Sequence, residues 1–279
     1  MIGARTGEAA MHLTSDQIAF YRKNGYLSGP RVLDDGQIER LRDRIGDILE
    51  RRIPFPDHLL GETVEKSRAK GQLPSFKLVN IFRNDTVFAE VLHHPDIGAL
   101  AADLMPAPVR VWEDQMIYKP PYDEAAVLAW HQDYPYWNQV GPAELGTCWI
   151  ALDDATVENG CMHVIPGSHS WNLDYVREEV DATDPDWLLK HPGIPKGADL
   201  TPHPCVVKAG HCHFHHCLTV HGSYGNRTGN PRRSYILHLM PGDTRRIGDA
   251  WNPRQGNVES VPMGAIVSGA EYPELARSA

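Results

Sequence analysis

In Val109-Arg110-Val111-Trp112-Glu113-Asp114-Gln115-Met116-Ile117-Tyr118 the side chains follow a period of two, and Pro120-Pro121 closes the run. Successive strand residues point to opposite faces, and proline cannot donate to a strand ladder. The stretch therefore predicts a long strand that stops before residue 120. Downstream, further strands are expected at 127–134, 145–152, 161–165, 203–207, 211–217, 218–221 and 232–240, with Gly or Pro turns between most of them.

Upstream of Val109 the periodicity is helical. Thr14 and Gln17 have the spacing of a capping box, Ile18, Phe20 and Tyr21 give an apolar stripe, and Asn24-Gly25 stops the helix. Tyr26-Leu27 reads as the start of a short strand. A second helix follows Asp34-Asp35, with Ile38, Leu41, Ile45, Ile48 and Leu49 on one face. Phe76 to Phe82 is expected as a strand, and Asn84-Asp85 and Pro95-Asp96 open two short helices. Many strands after a helical start, without βαβ alternation, predict a mainly β chain with helices (α+β). Its core would be a sandwich, barrel or jelly roll faced by the N-terminal helices.

Composition narrows the function. The chain has 279 residues, 42% apolar and 23% charged, as expected of a globular protein. We expect a loose segment over 1–12 and then one domain over 13–279: helices to residue 105, a β core over about 106–240 and a tail over 241–279. Two long loops, 52–75 and the insert 171–201, interrupt it, and the insert has the length of a lid or binding loop. A net charge of -9 without a basic block argues against nucleic acid and anionic membranes. No run of 18 apolar residues is present and residues 1–11 lack an apolar signal core, so no membrane span or leader is expected. Five cysteines, an odd number, form no disulfide framework and suggest a reducing, cytoplasmic setting.

The chemistry centres on Trp130-His131-Gln132-Asp133-Tyr134-Pro135-Tyr136-Trp137. On a strand, His131 and Asp133 would project side by side, which gives two corners of a 2-His-1-carboxylate triad. A distant histidine must supply the third. His211, His213 and His215 share one face of a predicted strand near Cys212 and Cys217, but the spacing matches no structural zinc motif. Hydrogen-bonded histidines on a polar strand face are the better reading there. His221 stands apart: Gly222-Ser223 follows it, and Arg232-Arg233 opens the next strand. A histidine beside an arginine suits a site for both a metal and a dicarboxylate, because guanidinium pairs with carboxylate through two hydrogen bonds.

Four segments in order carry a resemblance: Trp130-His131-Gln132-Asp133; Trp149 to Met162; Ile165-Pro166-Gly167-Ser168-His169; and His221-Gly222-Ser223 with Asn226 and Arg232-Arg233. With the opening helix from Leu13 to Leu27, they resemble the phytanoyl-CoA dioxygenase (PhyH) family over roughly 13–240. The resemblance implies a double-stranded β-helix, the cupin-like jelly roll, and an oxygenase dependent on Fe(II), 2-oxoglutarate and O2. It implies that His131, Asp133 and His221 are the iron ligands and that Arg232 holds the C5 carboxylate of 2-oxoglutarate. Lys77, Met116, Trp149 and Asn230 would line the co-substrate pocket, while Arg233, facing the other way, would make an ion pair.

Tyr134, Tyr136 and Trp137 are candidates for a substrate wall, with aromatic packing as the alternative. The resemblance further implies hydroxylation of a C–H in a small or medium-sized metabolite, with release of succinate and CO2. Desaturation, cyclisation and epimerisation draw on the same chemistry. The carboxylate of Asp133 argues against halogenation, which leaves that position to chloride. The residues after the His-x-Asp differ from those of ectoine hydroxylases, and no basic groove for a nucleotide is evident. Lys190, His191 and Lys196 in the insert suit an anionic substrate or a solvated loop equally. The alternative function is a cupin-like metal enzyme or metal-binding protein that does not use 2-oxoglutarate.

Overall fold

The computed structural model describes residues 10–56, 75–171, 173, 192–249 and 258–276. Most of the 52–75 loop and of the 171–201 insert, Lys190 and His191 included, lies outside these residues. Helix α1 (Ser15–Asn24) begins with the Thr14–Gln17 capping box and ends at Gly25, whose φ of 77° closes the last turn in the left-handed region. Of the segment expected to be loose, residues 1–9 lie outside the described residues, while Met11 and His12 are held against the later helix Pro95–Leu104. Met11 N–H donates to Asp96, and Asp103 accepts from Leu13 N–H and meets the His12 ring.

Helix α2 (Asp35–Leu49) also carries a capping box, Asp34 with Gln37, and buries Ile38, Leu41, Ile45, Ile48 and Leu49. Two shorter helices follow, α3 (Thr86–Val91) capped by Asp85 and α4 (Pro95–Leu104) with proline in its first turn. The strands β1 (Tyr26–Arg31), β2 (Phe76–Val79), β3 (Val109–Lys119), β6 (Gly146–Ala151), β9 (His211–His216) and β11 (Arg232–Pro241) form a sheet in the order β1-β9-β6-β11-β3-β2. A second sheet, β4-β10-β7-β8, is built from β4 (Leu128–His131), β7 (Met162–Val164), β8 (His203–Pro204) and β10 (His221–Ser223). The pairs that define the sheets are antiparallel, and the two-sheet arrangement is the expected jelly roll faced by helices. Strands β5 (Val140–Gly141) and β12 (Arg245–Arg246) make a small third pair.

The long sheet has two chemically different faces. On its outer face Met116, Tyr118, Cys148, Ile150, Cys212, Phe214, Tyr235 and Leu237 merge with the helices into one apolar core. Residues of opposite parity, among them Gln115, Ile117, Thr147, Trp149, His215, Arg232, Ile236 and His238, line a cavity between the sheets.

Several boundaries differ from the sequence reading, each for a local reason. Phe76 to Phe82 is a strand only to Val79; Asn80 adopts φ 56° and Ile81–Arg83 forms a 3₁₀ turn. The strand expected at 127–134 ends at His131, because Tyr134–Trp137 is a helical turn, α5, with proline in its first turn. At 218–221 there is no strand; the chain turns, and His221 begins β10 rather than ending a strand. The segment after residue 240 packs closely on β3. Val111 N–H donates to Pro273 O at 2.9 Å, Leu275 N–H to Val109 O at 3.0 Å, and Tyr272 stacks on Trp112 with ring centroids 5.6 Å apart.

Candidate metal centre and co-substrate cavity

His131 and Asp133 come together by a route other than the expected one. His131 ends β4, whereas Asp133 lies in helical backbone conformation, φ -73° and ψ -39°, at the start of α5. The backbone N–H groups of Asp133 and Tyr134 both donate to Cys217 O at 3.0 Å, which pins this turn against the end of β9. Gln132 fastens the same junction by donating its Nε2 to Leu218 O at 2.7 Å. His221 is paired with His131 in the β10–β4 ladder, so the two imidazoles face the same space with ring centroids 4.3 Å apart.

The ring orientations are fixed from behind. His131 Nδ1 lies 2.6 Å from Ala129 O and His221 Nδ1 lies 2.9 Å from Thr219 O. Carbonyls only accept, so each ring carries a proton on Nδ1 and turns its Nε2 toward the shared space. Both Nε2 atoms are 3.6 Å from Asp133 Oδ1. One ligand atom from each of the three residues falls within 4.8 Å of the others. Two imidazoles and one carboxylate, each under 8% exposed, form a donor set that fits a first-row divalent metal with open positions.

Burial and neighbouring charge set the states of His221 and Asp133. Burial, reinforced by His131, keeps His221 far below the usual histidine range and therefore neutral. Burial opposes the charge on Asp133, yet the imidazoles of His221, His131 and His215 hold its carboxyl well below the usual carboxylate range. Asp133 Oδ2 accepts from Thr147 Oγ1 at 3.1 Å and from His215 Nε2 at 3.3 Å. Thr147 Oγ1 is in turn 2.9 Å from His238 Nδ1.

At the other end of the cavity Arg232 is 2% exposed, and its Nε has no hydrogen-bond partner among the described residues. Its guanidinium carbon stands 5.5 Å from the centroid of the Trp149 ring. Arg233 faces the opposite way, as alternation predicted. It pairs with Asp153 through Nε and Nη2, both at 2.8 Å.

Not every expected residue reaches the cavity. Lys77, Trp149, Tyr136 and Trp137 line it with the triad and Arg232. Met116 does not: it is fully buried in the outer core, and its neighbours Gln115 and Ile117 face inward instead. Asn230 is exposed in the turn before β11, where its carbonyl accepts from the buried Asn226 side chain. Tyr134 is packing; its hydroxyl donates to Val140 O at 3.0 Å and its ring lies in an apolar cluster with Trp112 and Trp137.

The histidine strand splits similarly. His215 reaches Asp133, while His213 is buried with neither ring nitrogen bonded among the described residues. The clustered ligand set found among the described residues is the His131, Asp133, His221 group, without a zinc-like cluster at 211–217. Thr147 and Ile236 escaped the sequence reading, while Ser223 was noted only within the His221-Gly222-Ser223 motif and His238 only as one of many histidines that could supply the third ligand. Strand parity gives the missing signal, since 234, 236 and 238 share the face of Arg232, and 147 shares that of Trp149.

A facial His-x-Asp…His set inside a jelly roll, with a buried arginine at the cavity's far end, defines the class of mononuclear non-haem metal oxygenases. The sequence pattern of the family described as phytanoyl-CoA dioxygenase (PhyH) matches residues 21–234. A probable phytanoyl-CoA dioxygenase of Caenorhabditis elegans is 28% identical over 245 residues, 84% of this chain and 77% of the relative. The bovine (Bos taurus) phytanoyl-CoA dioxygenase domain-containing protein 1 is 32% identical over 280 residues, 86% of this chain and 93% of the relative. Among solved structures, the non-haem α-ketoglutarate-dependent carbocyclase SnoK from nogalamycin biosynthesis superposes with a TM-score of 0.72 at 24% identity, covering 95% of this chain and 97% of SnoK. The chain belongs to the phytanoyl-CoA dioxygenase family and is a dioxygenase dependent on non-haem iron and 2-oxoglutarate.

Proposed function

We propose that the enzyme hydroxylates an unactivated C–H of a small or medium-sized metabolite, with His131, Asp133 and His221 as iron ligands and Arg232 as the anchor of 2-oxoglutarate. One observation carries the reading: a clustered triad and a buried arginine with an unpartnered Nε share a single cavity. When bound, the iron and 2-oxoglutarate supply O2 activation and C–H oxidation, releasing succinate and CO2.

The chain's own contribution follows from the geometry. Backbone carbonyls hold the two imidazoles as Nδ1–H tautomers, leaving Nε2 free to ligate. Thr147 and His215 hold one oxygen of Asp133, so that its other oxygen faces the histidines. A carboxylate as third ligand also leaves no seat for chloride, which favours oxygenation over halogenation. Arg232, desolvated between the sheets, offers a planar fork to the distal carboxylate, and Trp149 forms the wall beside it. Ile117, Leu128, Met162 and Ile236 add an apolar lining that keeps water from the reacting groups. Tyr136 and Trp137, on the turn directly after Asp133, provide the substrate wall.

Addition of Fe(II) and 2-oxoglutarate without O2 should give a weak visible charge-transfer band, lost in Asp133→Ala and His221→Ala. A screen of metabolites for stimulated succinate formation would then identify the substrate. Wild-type protein that shows no band and forms no succinate would overturn the proposal. Full activity in Arg232→Ala would remove 2-oxoglutarate from its proposed seat.

A further inference from the structure

Across the sheet ladder from Arg232 lies a second buried basic side chain, which reaches the cavity lining through Ser223. Lys119 ends β3 and stands directly opposite Arg232 in the β3–β11 ladder. It is 1% exposed, and its Nζ donates to Ser223 Oγ at 2.7 Å and to the carbonyl of Tyr224. Neither acceptor is a carboxylate. Burying an ammonium without an anion is costly, and such a group lowers the cost by giving up its proton. Burial first, and then the charge of Arg232, push the Lys119 amine down to about 6. The Arg232 guanidinium is itself desolvated and its Nε unpartnered. Two basic groups are thus concentrated here without a hydrogen-bonded carboxylate among the described residues; Asp123 acts on Lys119, and Asp153 on Arg232, only through their charge.

Ser223 links Lys119 to the cavity. Its hydroxyl lines the space and already accepts the Lys119 N–H. The serine's own proton has no acceptor among its hydrogen bonds in the described residues, so it is available to a ligand.

We propose that Lys119 is a positioning residue for the co-substrate: it takes up a proton when the distal carboxylate of 2-oxoglutarate binds at Arg232, and it aims the Ser223 hydroxyl at that carboxylate. This rests on the placement of 2-oxoglutarate proposed above. The proton comes from the buffer and converts the neutral amine to ammonium beside the incoming charge. Besides Arg232, the titratable groups that face Lys119 are Cys161, Asp123 and His163. Cys161 stays a neutral thiol because burial raises it to about 11. Burial lowers His163, which leaves it the competing proton acceptor.

Calorimetric titration of 2-oxoglutarate into the Fe(II)-loaded protein without O2, in buffers of different ionisation enthalpy, counts the protons exchanged. Near pH 7.5 the expected result is uptake approaching one proton, fading as the pH falls below about 6, where Lys119 is already charged. Lys119→Met should abolish the uptake and weaken 2-oxoglutarate about ten- to a hundredfold, with Fe(II) affinity unchanged. Lys119→Gln retains an N–H for Ser223 and should keep part of the affinity but none of the uptake. Binding without proton uptake in the wild type overturns the proposal, and so does undiminished uptake in either variant, which would place the proton on His163. The wild-type measurement needs no variant and decides the question even where one of them misfolds. If the wild type binds no 2-oxoglutarate at all, the placement of the co-substrate itself falls.

Discussion

Asp133 puts its two oxygens to different uses. Oδ1 faces the two Nε2 atoms, while Oδ2 is held by Thr147 and His215. Thr147 has one hydroxyl proton. If Asp133 receives it, Thr147 Oγ1 must accept from His238 Nδ1–H, which fixes the His238 tautomer as well. Freed from this hold, Asp133 could swing or ligate through both oxygens. Thr147→Val should therefore weaken Fe(II) or Co(II) binding about 10- to 100-fold, with Thr147→Ser close to wild type, as read by metal titration and the visible spectrum of the Co(II) form. The neighbouring arginines offer a second contrast. Arg232→Ala should raise the KM for 2-oxoglutarate by on the order of a hundredfold, as expected for loss of charged hydrogen bonds. Arg233→Ala should leave that KM unchanged and instead lower Tm, because Arg233 ties β11 to Asp153. Adjacent residues thus face opposite sides of the sheet, as period-two alternation predicted, while the role given to Arg232 came from the family resemblance.

Strand β11 extends that separation along a whole element. Its inward residues, Arg232, Ile236 and His238, line the cavity, and its outward residues, Tyr235, Leu237 and Leu239, lie in the helix-packed core. Leu237→Ala should cost about 2–5 kcal/mol of stability in denaturant titration and leave the KM for 2-oxoglutarate near wild type. Ile236→Ala should raise that KM at smaller cost in stability. The same parity explains both the successes and the failures of the sequence reading. Trp149 and Arg232, which the resemblance assigned to the co-substrate pocket, line the cavity because both have the inward parity of their strands. Met116 was placed one residue out of register, and in a strand one residue is the difference between cavity and core. His131 and Asp133 come together as expected, though not as neighbours on one strand. Pro135 starts a helical turn that the apolar pattern of 127–134 conceals, and long-range bonds from Cys217 and Leu218 hold that turn in place. Such contacts between distant segments leave no local periodicity to read. Thr147 and Ser223 were left without a role for the same reason, since a hydroxyl on a strand reveals its role only through the partner opposite it.

For the molecule as a whole, the buried histidines make stability depend on pH. Burial lowers the pKa of His213, His216, His221 and His238, with His216 at about 4 and His238 at about 3. These rings take up protons near pH 6.5 when unfolded but not when folded, so their contribution is lost as the pH falls below 6.5. Glu113 and Asp114 act in the opposite sense. Burial raises both to about 7, and the stability they contribute declines as the pH rises from about 4 towards 7. Burial lowers His163 and His169 as well, so six histidines outweigh two carboxyls, and each net proton is worth about 1.4 kcal/mol per pH unit. The metal-free protein should therefore lose Tm steadily from pH 6.5 to 4.5 in a calorimetric series; a Tm that stays level or rises on acidification would contradict this balance. Fold class, helix caps and the helical half were legible from the sequence because they rest on local signals. The packing of 258–276 on β3 was not, because nothing in the segment's own pattern names its partner. That packing has a further consequence. Strand β2 covers β3 only opposite residues 115–118, so the amides and carbonyls near Val109 and Val111 would otherwise form an open sheet border. Pro273 and Leu275 occupy it, and Tyr272 seals the indole of Trp112. A chain truncated after residue 257 would present that border as a template for another molecule, and light scattering should show it self-associating while the full chain stays dispersed.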